Sequence, residues 1–557
     1  MSSMTTNLPN ACSTCGSLTN PAFSDHSRSS RVSEMLRCND PPSDSELSDF
    51  QNIAKSGPGR VADLDGKIAR AREHLTALIQ ERNVLEANIG DARTLSSPIR
   101  RLPADVLRDI ALATIPSPYE VMNSSVLRTG SANSLDSRES PWTLAQVSHR
   151  WRSTIVSAPE VWSSMSLVMK HDDKLATVAR QMFMTGLRLE RSKCLPLTVA
   201  LSGFSDADIS NHPLLFLIST RSSLIRNLRI QTSLISYPAF SWWRGRLDQL
   251  YDLTLVDLTP VGSRTQSSGG TKNVIDAFEY APQLETISLW TVNGFHSSFR
   301  FPRNQITHLD LAITDWKDAD ILGQLSTIMS LRVAYGRSSL AIPESRRVIS
   351  LPALTSLTLT YQYRRTDPLS PLHPQSDPIF SLLSIPNVTY LWLVYCKGFN
   401  VFPTIPVPNV IRALDIEFSA GTDMLAPSLE SEDKDMIYKL STLLESVTNL
   451  CDLVISSPST TPSGSLYDVS LLVSILSRVS VRHLRTLDLR GSTLRLSGIH
   501  VDLVEMIRAR RQRNSGGRAQ IEAVYLRFPL TLDPIYARRW QFLIDGGLKV
   551  VYGRPEQ

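Results

Sequence analysis

Two spacings organise the apolar positions of this chain. Between Leu64 and Ala92 they fall at Leu64, Ile68, Ala71, Leu75, Leu78, Leu85, Ile89 and Ala92, with Arg82 filling the one gap, so the steps alternate 4 and 3. That alternation is the a/d seam of a paired helix. Charged flanks at Arg70, Arg72, Glu73, Glu81 and Glu86 complete one amphipathic helix, ended by Gly90 and Ser96-Ser97-Pro98. The stripe either pairs with a second copy, giving a homodimer, or folds back on the next domain. The second spacing begins at Ile225 and reads apolar, two variable, apolar, one variable, apolar. It recurs at Ile225/Leu228/Ile230, Leu250/Leu253/Leu255, Leu284/Ile287/Leu289, Ile306/Leu309/Leu311, Ile328/Leu331/Val333 and Leu354/Leu357/Leu359. It continues at Val388/Leu391/Leu393, Ile411/Leu414/Ile416, Leu450/Leu453/Ile455, Leu484/Leu487/Leu489 and Ile521/Val524/Leu526. The last members lie 22 to 39 residues apart.

Each triplet predicts a strand with two core-facing residues. The stretches between them, such as Thr271–Ala281, Glu432–Val447 and Ser470–Ser480, predict return helices. The pattern resembles the leucine-rich repeat, which implies an irregular solenoid with a parallel sheet along one face. Side chains alternate across a strand. The other face therefore carries Thr254, Ser288, Trp290, Asp310, Arg332, Thr358, Thr360, Trp392, Asp415, Glu417, Asp488, Arg490, Tyr525 and Arg527. Trp290, Trp392, Glu417, Arg490 and Arg527 are the expected contacts for a target protein, since large aromatics and Arg dominate binding hot spots. Each tryptophan alternatively packs on a neighbouring repeat.

A third group of short helices lies between. Pro103 stands at a helix start with Asp105 in its first turn, and Val106, Leu107 and Ile110 give it an apolar face. Ser140-Pro141 opens a second helix striped by Leu144, Val147, Trp151 and Ile155, and Pro159 to Trp162 turns back. Leu-Pro-x-Asp-Val-Leu-x-x-Ile from Leu102, Leu-x-x-Val-x-x-x-Trp-Arg from Leu144 and Pro-x-Val-Trp from Pro159 together resemble an F-box. The resemblance implies docking onto the Skp-type adaptor of a cullin–RING ubiquitin ligase. Carried over by position, the adaptor contacts are Leu102, Pro103, Val106, Leu107, Ile110, Val147 and Trp151. The chain departs from the family pattern in a polar insertion at 117–140 and in His149, where a small residue is usual.

The expected architecture is α/β. A disordered Ser/Pro-rich tail spans 1–58, a coiled-coil-like helix 59–97, the F-box-like domain 98–165 and the repeat domain 166–557. A net charge of +5 over 557 residues argues for no nucleic acid and no membrane as partner. No apolar run is long enough to span a bilayer and no signal peptide is evident, so a cytoplasmic or nuclear location is expected. Cys12-x-x-Cys15 stands alone, a weak zinc signal, and the six cysteines are scattered. Phosphate-loop, dinucleotide, metalloprotease, nucleophile-elbow and kinase motifs are all missing, so neither an enzyme nor a cofactor is expected. The basic run from Met506 to Arg518 compensates a helix C-terminus before Gly516-Gly517.

Overall fold

In a computed structural model of the chain, the structure describes residues 30–38, 41–123, 133–170, 174–203, 208–259, 274–290, 299–313, 316–336, 348–362, 378–396, 408–419, 440–456, 476, 481–489, 499–512, 519–526 and 534–553. They fall into two compact units divided between Leu102 and Pro103.

The first unit holds α1 (Ser30–Cys38) and α2 (Asp44–Ser96). α2 starts well before the expected position, so residues 44–58 are helix and not disordered tail. The cause is local. Ser43 Oγ accepts from the Glu46 N–H at 3.4 Å, while the Ser43 N–H donates to Glu46 Oε2 at 2.8 Å, a reciprocal capping box. The Ser43 backbone bond also holds the Glu46 carboxyl below its ordinary range. Arg31 Nε reaches Glu46 at 3.5 Å, tying α1 to the start of α2. The helix continues past Pro58 and Gly90 and ends at Ser96, where a 3-10 turn opens on Pro98. No residue of α2 is buried. The tail before Ser30, with Cys12 and Cys15, lies outside the described residues.

The second unit is built on one sheet of fourteen strands. They are β1 (Ser164–Val168), β2 (Leu197–Ser202), β3 (Ile225–Thr232), β4 (Asp252–Asp257), β5 (Thr286–Trp290), β6 (His308–Ile313) and β7 (Ser330–Gly336), then, past a two-residue strand β8 (Ile349–Ser350), β9 (Ser356–Gln362). After another two-residue strand, β10 (Leu383–Ser384), follow β11 (Tyr390–Cys396), β12 (Ala413–Ser419), β13 (Asp452–Ser456), β14 (Thr486–Asp488), β15 (Ala523–Leu526) and β16 (Lys549–Tyr552). Within the main sheet every pairing is parallel and every strand pairs with the next in chain order; β8 and β10 pair separately. The triplets stack in register: Leu253, Ile287, Leu309, Leu331, Leu357, Leu391, Leu414, Leu453 and Leu487 form one continuous row. All are buried in a single core.

The return segments are more varied than expected. Leu175–Arg191 and Pro213–Ser219 are α-helices, and Leu234–Trp243 and Trp316–Gln324 are 3-10. Of the expected helix at 271–281, residues 271–273 lie outside the described residues, and the rest holds a turn over 277–280. Ile275 bridges Phe299 while Phe278 enters the core. At 432–447 the described part is helical from Leu440 and buries Leu440, Leu444 and Val447. Most of 470–480 lies outside the described residues, and its Leu476 is buried.

Candidate interaction surfaces

The helical group opens with α3 (Ala104–Thr114), for which Pro103 is the capping residue, and α4 (Pro118–Asn123). The expected second helix is two: α5 (Leu144–Val147) and α6 (His149–Ser157). Ser148 divides them. Its extended backbone ends α5, and its Oγ accepts from the Trp151 N–H at 3.3 Å to cap α6. The stripe of Leu144, Val147, Trp151 and Ile155 is therefore bent, and its members part company. Trp151 is 6 % exposed and Ile155 fully buried, while Val147 is 59 % exposed.

This separation corrects the expected adaptor contacts. Leu107, 1 % exposed, belongs with Ala111, Trp151 and Ile155 to the group's own interior. Leu107 and Trp151 hold the fold and offer no surface. Pro103, Val106 and Val147 face solvent, and Ile110 is half-buried. Leu102, also half-buried, closes the first unit.

The described parts of the insertion at 117–140 pack on the fold. Val121 and Met122 of α4 are buried, and α4 packs on β1, β2 and β3. The Arg229 guanidinium donates to the Met122 carbonyl. Ser134 lines the otherwise open edge of β1: its N–H donates to the Ser166 carbonyl at 2.9 Å and its Oγ accepts from the Ser166 N–H at 2.8 Å. Arg188 locks this seam from below, donating to the carbonyls of Ser134 at 2.9 Å and Ser164 at 2.8 Å. Complete burial lowers its pKa to about 10. Trp142 and Trp162 meet edge to face with centroids 4.9 Å apart, and Arg191 lies 4.5 Å over Trp162. Residues 124–132 lie outside the described residues.

Further along the same face of the sheet, one row runs Arg229, Thr254, Ser288, Asp310, Arg332, Thr358, Trp392, Asp415, Val454, Asp488 and Tyr525. Arg332 sits mid-row. Its Nη1 is 3.7 Å from Asp310 Oδ2, and its guanidinium spans the short Thr358 to lie 5.4 Å over the Trp392 ring. Beyond Trp392 the carboxylates gather. Burial pushes Asp415 up to about 7, and the charges of Glu417 and Asp488 add to the rise. Burial also raises Asp310 to about 6 and lifts Glu417, in both cases against Arg332. Tyr390, half-buried beside Asp415, is pushed up to about 12. Trp392 Nε1 and one carboxylate oxygen each of Asp310 and Asp415 are shielded from solvent without a hydrogen-bond partner among the described residues. Among those residues no cluster of His, Cys, Asp and Glu is arranged to hold a metal.

The expected target contacts are thus divided. Trp392 and Glu417 stand in this patch with Asp310, Arg332 and Asp415, which share the same alternate strand positions. Trp290, half-buried at the end of β5, is four strands from Trp392 and pairs across to Val256, so it lies apart. Arg490 and Arg527 lie outside the described residues. In the basic run, Arg510 is buried with its guanidinium on the carbonyls of Val481 and Leu476 at 2.8 and 2.7 Å, and Arg511 holds those of Ile521 and Gly546. These two arginines staple the return helix Ile499–Arg511 to its neighbours. Among the described residues no helix is long and apolar enough to cross a membrane. No protein-family model matches the chain, and no curated protein matches it.

Proposed function

We propose that this chain is the substrate-recognition subunit of a Skp–cullin–F-box ubiquitin ligase. On this reading the helical group from Leu102 to Trp162 is an F-box that docks the adaptor. The in-order parallel sheet is the open face of an irregular leucine-rich-repeat solenoid, and the patch around Trp392 takes the target protein. The chain performs no bond chemistry. It raises the effective concentration of a target lysine beside the ubiquitin-charged enzyme.

The observation that carries the reading is the division within the motif. Leu107 and Trp151 form an interior, while Pro103, Val106 and Val147, apolar residues of the same motif, stay in solvent. On this reading these three residues are the face left for the adaptor. The Trp392 patch supports the second half: a half-buried indole whose N–H has no partner among the described residues, flanked by charges of both signs, matches the composition of protein-binding hot spots.

Co-purification of a Skp-type adaptor with the full chain tests this. Val106→Asp combined with Val147→Asp alters only exposed positions, so the fold persists, and recovery of adaptor is expected to fall at least about ten-fold. Aspartate at Leu107 or Trp151 would unfold the bundle and mimic loss of docking. Equal recovery by the wild type and the double variant overturns the F-box reading. Absence of adaptor from folded wild type leaves a leucine-rich-repeat interaction scaffold without the ligase.

A further inference from the structure

The seam of α2 is exposed along its length, with Leu64, Ile68, Leu75, Leu78, Leu85 and Ile89 all in solvent. With Leu64 at d and Ile68 at a, the positions flanking the seam at e are Asp65, Arg72, Ile79, Glu86 and Arg93. Their charges read minus, plus, neutral, minus, plus. That row is complementary to its own reverse about Ile79. From this we propose that α2 pairs with α2 of a second copy, antiparallel, with the two-fold axis at Gln80.

In an antiparallel pair, a positions face d positions of the other helix, and the e rows face each other. About Gln80 this sets Leu64 against Ser96, Ile68 against Ala92, Ala71 against Ile89, Leu75 against Leu85 and Leu78 against Arg82, and then the same layers in reverse. Each isoleucine meets an alanine, so volumes match, and each Arg82 lies over a leucine with its guanidinium already at the rim, 3.6 Å from Glu86 of its own helix. Along the rim, Arg72 faces Glu86 of the second copy and Asp65 faces its Arg93, each twice by symmetry. Ile79, an apolar residue at a flank position and 44 % exposed, meets its own copy at the axis. The two Glu81 also approach there, beside the two Arg82.

Parallel pairing fits worse. It stacks Arg82 on Arg82 and Ala71 on Ala71, and it sets Lys67 against Arg72 and Glu81 against Glu86. Leu64 to Ser96 exceeds the three to four heptads a two-stranded coil needs, roughly. The pairing also ends before Gly57-Pro58-Gly59, which suits a helix weak at that point. The inference is independent of the proposed ligase function.

Sedimentation equilibrium of the full chain at tens of micromolar is the test. Wild type is expected to be a dimer. Arg72→Glu alone and Glu86→Arg alone each turn two attractive contacts into repulsive ones and should weaken the dimer about ten-fold, and the double variant should recover wild-type affinity. Parallel pairing gives the opposite sign, since either single change there relieves a like-charge contact. A monomeric wild type, a dimer that neither change moves, or a dimer that either single change tightens overturns the proposal.

Discussion

Asp415 sits where a carboxylate is least comfortable, half-buried and under the charges of Glu417 and Asp488. Its folded pKa, raised to about 7, exceeds the ordinary carboxyl value, so the folded chain binds the proton that the unfolded chain releases between about pH 4 and 7. Stability from this residue is therefore greatest at the acid end of that window and is lost as pH rises through 7. Asp415→Asn should flatten the urea-midpoint difference between pH 5 and pH 8, and at pH 8 it should stabilise by on the order of 1–3 kcal/mol. If the wild type is no less stable at pH 8 than the variant, the carboxylate is better solvated than its surroundings imply. The Trp392 patch was half legible in the sequence. Trp392 and Glu417 follow from strand alternation. That Arg332 reaches across Thr358 to the indole, and so ties Asp310 to them, depends on the order of the strands, which spacing alone does not fix. The adaptor residues show the opposite limit. A motif marks which positions are apolar, and only packing separates Leu107, inside, from Val106, outside.

At the scale of elements, the repeated spacing marks the strands whether one face is buried or, as in β3 with Arg229 and Gln231, both are. The strand triplets from β3 to β15 are each one core-facing stripe, and each became a strand. β1 carries the same spacing at Trp162/Met165/Leu167, and on β1 and β2 the second face is covered too: Ser166, Thr198 and Ser202 are buried beneath α4 and its neighbours, as Leu167 and Leu201 are on the core side. β16 escaped notice because its side chains are half exposed at the far edge. The start of α2 was signalled only by Ser43 and Glu46, since Gly57-Pro58-Gly59 hides the seam upstream of Val61. Ser43→Ala should remove one end of the capping box and cost about 1 kcal/mol locally. Hydrogen exchange would register this as faster exchange over residues 44–50, with the centre of the helix unchanged. Uniform protection in both forms would mean that the cap contributes nothing. At the other end of the chain, Gly547 adopts φ +89 while the Leu548 N–H returns to the Leu543 carbonyl at 3.0 Å, and this turn lets the helix Pro534–Asp545 reverse directly into β16.

For the whole second unit, Arg188 is one of the ties that join helical group and sheet, beside α4 on β1 to β3 and Arg229 on Met122. The Arg188 guanidinium is the only described side chain donating to both the Ser134 and Ser164 carbonyls. Arg188→Met fills a similar volume and takes the guanidinium from the Ser164 carbonyl, at roughly 1–3 kcal/mol, while the Ser134 carbonyl keeps the Trp142 Nε1–H at 3.0 Å. The expected result is a lower melting temperature and proteolytic cleavage that begins between residues 117 and 140. Unchanged melting and an intact segment would show that the tryptophans suffice. The sheet beyond this joint has a direction. Its first edge is lined by Ser134, whereas at the other end β16 pairs with β15 and with no further strand among the described residues. Because each described strand of the main sheet pairs only with the strands before and after it in that sheet, a chain emerging from the ribosome can lay down one rung at a time from a finished starting block. Synthesis halted after any rung leaves the earlier ones already assembled, and damage near the C-terminus shortens the ladder without toppling it.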